Sequence, residues 1–342
     1  MSVRNFFATV AIFILVCIAA PMLHGQVHSS SSYRYLLTEE GAMEHIGFLC
    51  SEKIAGRAAG TPQAKEVADY IARAFEQYGL QPFRSVSYFQ PFSLANQKVS
   101  GSSYIEQYRQ RSQGNNADVK KGYNVIGYLP AKNKNADYII VGAHFDHIGA
   151  IGDKFYPGAD DNSSGVAAML EVAKALGKRF VEKNDLEHNI VFVGFDANNL
   201  NMQGSRYFVQ KMGIPVHKVT CMLNLDQIGS SLAPVGKNPE YLLILGAEHL
   251  SGWQREQISF ANEFFALGLQ LDFSYYGSEE FYKIFYRLSD QKSFADAGIP
   301  ALLFTSGITK HTNKESDIAD NLNPAVLLKR IELIYSFLWL LI

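Results

Sequence analysis

From residue 123 onward, short unbroken apolar runs alternate with longer stretches in which apolar residues recur every three or four positions. The runs at 124–129, 138–143, 189–195, 219–225, 241–245 and 299–304 have the length and the Val, Ile and aromatic content of buried strands. Between them, 165–176 carries a helical stripe of Val166, Met169, Leu170, Ala173 and Leu176, and 204–212, 254–266, 279–287 and 324–342 read as further helices. Upstream, 33–80 reads as helical: Thr61-Pro62 opens a segment striped by Val67, Ile71, Ala74 and Phe75, and Gly79 closes it. This alternation predicts an α/β fold, a three-layer sandwich with a mixed, mostly parallel central sheet and helices on both faces.

Two stretches break the alternation. Residues 84–122 are polar and aromatic and include the charged segment 107–121, which suggests an excursion or lid edge. A structureless loop of that length is unusual in a compact domain, so some strand is expected within it. At the N-terminus, Arg4 precedes a run from 6 to 23 that is apolar apart from Thr9 and Cys17, followed by Gly25, Gln26 and four serines at 29–32. This is the order of a secretory signal peptide cut before Gln26; the alternative is a retained anchor, since the run is close to bilayer-spanning length. Ile14-Leu15-Val16 ahead of Cys17 matches a lipoprotein cleavage box poorly. The expected organisation is a signal peptide at 1–25, a polar linker at 26–36 and a single domain at 37–342, exported to the periplasm or the extracellular space. The apolar C-terminal helix is interrupted by Lys329, Arg330 and Glu332 and is read as core-packing, so no transmembrane helix is expected once the signal is removed.

Composition narrows the partners. With 47% hydrophobic and 19% charged residues the 342-residue chain is globular, and a net charge of −2 provides no basic field for nucleic acid. Cys50 and Cys221 would remain after cleavage, either paired or as two buried free thiols.

Polar residues suited to metals sit at the ends of the apolar runs. His144 and Asp146 follow 138–143, Asp160 and Asp161 precede the helix at 165, and Asp196-Ala197-Asn198-Asn199 follows 189–195. Asp226 follows 219–225, and His311 lies just beyond 299–304. Parallel strand ends converge on one sheet edge. His144, Asp161, Asp226 and His311 offer two imidazoles and two carboxylates, a set suited to zinc; a lone aspartate after a strand is more often a turn or cap residue, and it is the ordered set that carries the signal.

The segments GAHFDHIG, PGADDNSSGVAAMLEVAKAL, IVFVGFDANNLNMQGSRYF, LNLDQIG, SDQKSFADAGIPALLF and KHTNKESD together resemble the family-28 metallopeptidases, secreted zinc aminopeptidases related to glutaminyl cyclases. GRAAGTPQAKEVADYIARAFEQYGLQP resembles their N-terminal helix, so the likeness runs over roughly residues 40–340 apart from 84–122. The resemblance implies a zinc-peptidase, phosphorylase/hydrolase-like fold acting on a peptide or protein N-terminus. It implies that His144, Asp161 and Asp226 hold one zinc, that Asp161 bridges to a second, and that His311 is a ligand of the second. It further implies that Asp146 orients His144 and that the Asp161–Asn162 bond is cis.

The chain departs from the family at three places. Where the family has consecutive glutamates, a general base and a ligand of the second zinc, this chain has Asn198-Asn199, with the following LNMQGSRYF keeping the register. An amide cannot accept the proton of a metal-bound water, and Asn199 offers only a neutral oxygen in place of a carboxylate ligand. Ser289-Asp290-Gln291 stands where the family reads SDH, and the segment before His311 is shortened to Gly307-Ile308-Thr309-Lys310. The expectation is a peptide- or partner-binding pseudo-peptidase holding at most one zinc, weakly. The alternative is an active single-metal hydrolase with another base, for which Asp196, Asp160 and Glu315 are the candidates by sequence.

Overall fold

Both faces of the central strands are apolar, and both are covered by helices. The computed structural model describes residues 33–94, 120–232 and 238–342. The signal-like segment 1–25, the linker to residue 32 and the stretch 95–119 lie outside the described residues. The chain first forms α1 (Glu39–Leu49), α2 (Pro62–Gln77), β1 (Gln81–Pro82), β2 (Phe89–Ser93), β3 (Lys121–Leu129) and β4 (Tyr138–His144). A hairpin of β5 (Gly149–Ile151) and β6 (Lys154–Tyr156) follows, then α3 (Gly165–Lys183), β7 (Asn189–Phe195), α4 (Gln203–Lys211) and β8 (Val219–Leu225). The last third holds β9 (Tyr241–Leu245), α5 (Gly252–Phe264), β10 (Gln270–Asp272), α6 (Glu279–Phe285), α7 (Gln291–Ala295), β11 (Ala301–Thr305) and α8 (Pro324–Leu341).

The main sheet runs β1-β3-β7-β4-β8-β11-β9-β10, with β2 also paired to β3. Its centre, β7-β4-β8-β11, is parallel; β3 joins β7 and β9 joins β11 antiparallel. The register sets His144 beside Phe195, Gly142 beside Asn224 and Leu225 beside Phe304, which brings the C-terminal ends of the four central strands to one edge. Open α/β sheets keep their ligands at that edge.

Period-2 alternation divides the strand side chains between two layers. Ile139, Val141, Phe192, Leu223, Leu225, Leu242, Ile244, Leu302 and Phe304 pack against α1, α2, α3, α5 and α8. Ile140, Val191, Val193, Phe195 and Met222 pack against Phe208 and Met212 of the α4 region and Phe294 of α7. Leu243, Leu245 and Leu303 face Tyr282 and Phe285 of α6. His144 and Asp226 share the parity of Ile140 and Met222, which places both on the side covered by the shorter helices.

The helices start where the sequence indicates. Thr61 accepts from Ala64 N with Pro62 in the first turn of α2, and Asn323 accepts from Val326 N with Pro324 in the first turn of α8. α8 is buried along most of its length against α1, α3 and α5, and no helix among the described residues is long and apolar enough to cross a membrane. The strand expected between 84 and 122 is β2. Cys50 and Cys221 are both free thiols, Cys50 half-buried with Sγ 3.4 Å from Ser163 Oγ and Cys221 inside β8.

Candidate metal centre and cleft

His144 terminates β4, Asp226 follows β8, and Asp161 lies in the tight turn of 159–164 that leads into α3. Three buried ligand atoms from these residues lie within 4.8 Å of one another. His144 Nε2 is 3.5 Å from Asp161 Oδ1 and 3.5 Å from Asp226 Oδ1. Burial disfavours an imidazolium at His144, yet the Asp226 and Asp161 carboxylates outweigh it and hold its pKa well above the ordinary value. Burial likewise opposes charge on Asp161, but His144, His147 and Arg57 keep its pKa low. Asp226 Oδ1 is buried without a hydrogen-bond partner. One imidazole and two carboxylates, one of them with an unpartnered oxygen, converging from rigid elements fit a divalent metal with an open position.

Asn162 connects the pieces. Its Nδ2 donates to Leu225 O (2.8 Å) and His144 O (3.3 Å), and its Oδ1 accepts from Gln227 N (3.0 Å) and Gly165 N (3.1 Å). One fully buried amide therefore ties the ends of β4 and β8 to the start of α3. Gly165 permits this, since a Cβ there would lie 2.3 Å from Leu225 O. The Asp161–Asn162 bond is cis, and Asp317 accepts from Asp160 N (2.9 Å) and Asp161 N (3.0 Å).

Asp146 does two things. Its main-chain oxygen is 3.1 Å from His144 Nδ1, whereas its carboxylate is 3.8 Å away. The carboxylate instead accepts from Asn198 N (2.8 Å), Asn199 N (3.1 Å) and Asn199 Nδ2 (3.4 Å). The ring is thus oriented by the Asp146 carbonyl, and the carboxylate fixes the two asparagines.

Both asparagines line a cleft of about 580 Å³ together with His144, Asp161 and Asp226. Asn198 Nδ2 donates to Asp290 Oδ2 at 2.9 Å, leaving its carbonyl oxygen and the second Nδ2 hydrogen to offer to the cleft. His311 does not join the group. It lies outside the cleft lining, with Nδ1 2.9 Å from Ser316 Oγ, although the adjacent Thr312 and Asn313 line the cleft.

In the sequence Asp290 and Asn162 stand out only as parts of motifs and Arg57 only within the GRAAG segment, because the role of each depends on residues far away in the chain. Asp290 is fully buried with Oδ1 unpartnered, and that burial pushes its pKa up to about 6 against the pull of its hydrogen bonds. Between roughly pH 4 and 6 the native carboxyl keeps a proton that the unfolded chain has released, so its contribution to stability falls as pH rises through that window. Asp290→Asn should therefore gain roughly 2–3 kcal/mol relative to the parent between pH 4.5 and 7.5, read by urea unfolding. A difference that does not change with pH would contradict this.

The peptidase family M28 model matches residues 124–338. The chain belongs to peptidase family M28. Aminopeptidase YwaD of Bacillus subtilis is 34% identical over 110 residues, 32% of this chain and 22% of that protein. The chain spans between 14% and 34% of the length of the curated relatives it matches. Among solved structures, the zinc aminopeptidase BSAP from Bacillus subtilis superposes with a TM-score of 0.64 at 18% identity, covering 89% of this chain and 95% of that one. Porphyromonas gingivalis glutaminyl cyclase gives 0.63 at 17% identity, covering 90% and 99%. These two share the M28 chain's α/β fold.

Proposed function

We propose that this M28 chain is an exported protein that binds the N-terminal segment of a peptide or protein in its cleft. On this reading it holds one metal, zinc by the chemistry of the donor set, and lacks the general base for hydrolysis. The observation that carries the reading is the cleft lining. Among the described residues its only carboxylates are Asp161 and Asp226, both needed as ligands, and the facing positions are Asn198 and Asn199. A base must lie within hydrogen-bond reach of the proton it takes. Asp196 is buried, accepting from Tyr123 N and Ala197 N; Asp160 accepts from Gly229 N and Ser230 N; Glu315 is exposed and paired with Lys154. None of the three lines the cleft.

A bound zinc would supply Lewis acidity toward a carbonyl oxygen. His144, Asp161 and Asp226 would hold it, while the free carbonyl oxygen of Asn198 can accept an N–H from a bound peptide. Export rests on the signal-like order of residues 1–25.

A second reading, an active single-metal hydrolase, is favoured by Asp290, which lies directly behind Asn198 with one unpartnered oxygen. For Asp290 to take a proton, Asn198 must swing aside.

Elemental analysis of the purified protein should find about one zinc per chain, lowered by Asp226→Asn. Aminoacyl-anilides and an N-terminal glutaminyl peptide should show no chelator-sensitive turnover. Two tightly bound zincs would overturn the single-metal reading. Chelator-sensitive turnover that Asp290→Asn abolishes would establish the second.

A further inference from the structure

Arg57 is fully buried, and its guanidinium donates to main-chain oxygens with no carboxylate paired to it among the described residues. Nε donates to Phe145 O at 2.6 Å, the residue after His144. Nη1 donates to Leu49 O at 3.2 Å and to Pro157 O. Nη2 donates to Gly158 O at 2.8 Å and reaches Asp161 O at 3.5 Å. The same residue's carbonyl accepts from His147 N at 3.3 Å. One side chain thus grips the end of α1, the exit of β4 and the loop that carries Asp161.

The backbone is shaped to deliver it. Ala55, Gly56 and Arg57 have φ of 44°, 69° and 48°, three successive residues in the left-handed region. Non-glycine residues are held there only when the surroundings over-determine them, and such strain gathers at functional sites. At Gly56 a Cβ would lie 2.5 Å from Tyr156 O and 2.7 Å from Gly149 O, so only glycine fits between the two strands of the hairpin. A buried, always-charged guanidinium is costly unless nearby charge offsets it. Here burial opposes the charge, and the Asp161, Asp317 and Asp146 carboxylates act against that penalty.

We infer that Arg57 is a positioning residue of the metal centre: it sets the spacing of His144 and Asp161 by strapping Phe145 to the 157–161 loop, and its charge balances the acidic groups around them. This rests on the metal reading above. Lysine, with three donors at a single point, cannot span five oxygens in a plane.

The test uses the full chain, stripped of metal and titrated with Zn²⁺ against a chromophoric chelator and with Co²⁺ by visible absorption. Arg57→Lys and Arg57→Gln should weaken Zn²⁺ binding by about 10–100-fold, the range for residues that orient ligands, and should alter the Co²⁺ spectrum. Leu333→Ala, a core variant in α8, should lower stability while leaving affinity and spectrum unchanged. Two outcomes are adverse and distinguishable. If the parent binds Zn²⁺ and both Arg57 variants match it within about twofold, the role of Arg57 is overturned alone. If the parent takes up neither ion, the metal reading falls and this inference with it.

Discussion

Replacing Asn198 and Asn199 together by glutamate is expected to raise chelator-sensitive hydrolysis of an aminoacyl-anilide by at least about 10²-fold, the contribution of a positioned general base. The frame for it already exists. Both backbone amides are anchored on the Asp146 carboxylate, both side chains reach the cleft, and the ligand trio is in place. A carboxyl at 198 would face Asp290, whose own pKa is pushed up to about 6, so the two could share a proton instead of repelling. A carboxyl at 199 would add a charged oxygen to the cleft that Asp161 also lines and favour a second metal. Asn198→Glu alone should give turnover with unchanged metal content, and Asn199→Glu alone should raise metal content without turnover. Steady-state kinetics and elemental analysis read both. A folded double variant with neither change would contradict the proposal that the two asparagines are what prevents hydrolysis.

The second large effect is expected at Asn162. Asn162→Ala removes two donors and two acceptors from a fully buried position and strands Leu225 O, Gln227 N and Gly165 N without their partner. Each such buried orphan costs about 1–3 kcal/mol, so a loss of roughly 3–9 kcal/mol is expected. Because the same amide ties the segments bearing His144, Asp161 and Asp226, metal uptake should fall with it. Denaturant unfolding with and without zinc separates the two effects: the variant should lose stability in metal-free buffer and also lose most of the zinc-dependent gain. A destabilisation under about 1 kcal/mol would mean that water or backbone movement replaces these bonds.

The sheet and its helices were legible because the signals they need are local. Runs such as Ile139–Val141 and Ile190–Phe195 are buried on both faces and read as continuous apolar strands. The stripe of α3 has helical spacing, and Thr61-Pro62 and Asn323-Pro324 mark true starts. Short elements were illegible: β5, β6 and β10 have three residues each, too few to show a period. The chemistry followed the same division. His144, Asp161 and Asp226 sit where strands or helices end, so topology alone brings them together. Arg57 carries no local sign of burial, and only a fold that closes α1 onto the 157–161 loop reveals it. Asp290 and Asn162 matter through partners 92 and 63 residues away. His311, expected by resemblance to join the metal ligands, instead has its ring bonded to Ser316.

The order of strands has a consequence for how a peptide can be held. At one margin of the main sheet, β3 is flanked by the two-residue β1 and by β2, which carries Pro91; at the other lies β10, only three residues long. Short borders and an imino acid without a hydrogen to donate make poor templates for an added strand. A guest chain therefore gains little by lengthening the pleated layer from its sides. On the proposed peptide-binding reading, the guest would enter tip-first at the crest where the parallel strands stop, and recognition would rest on its leading residues.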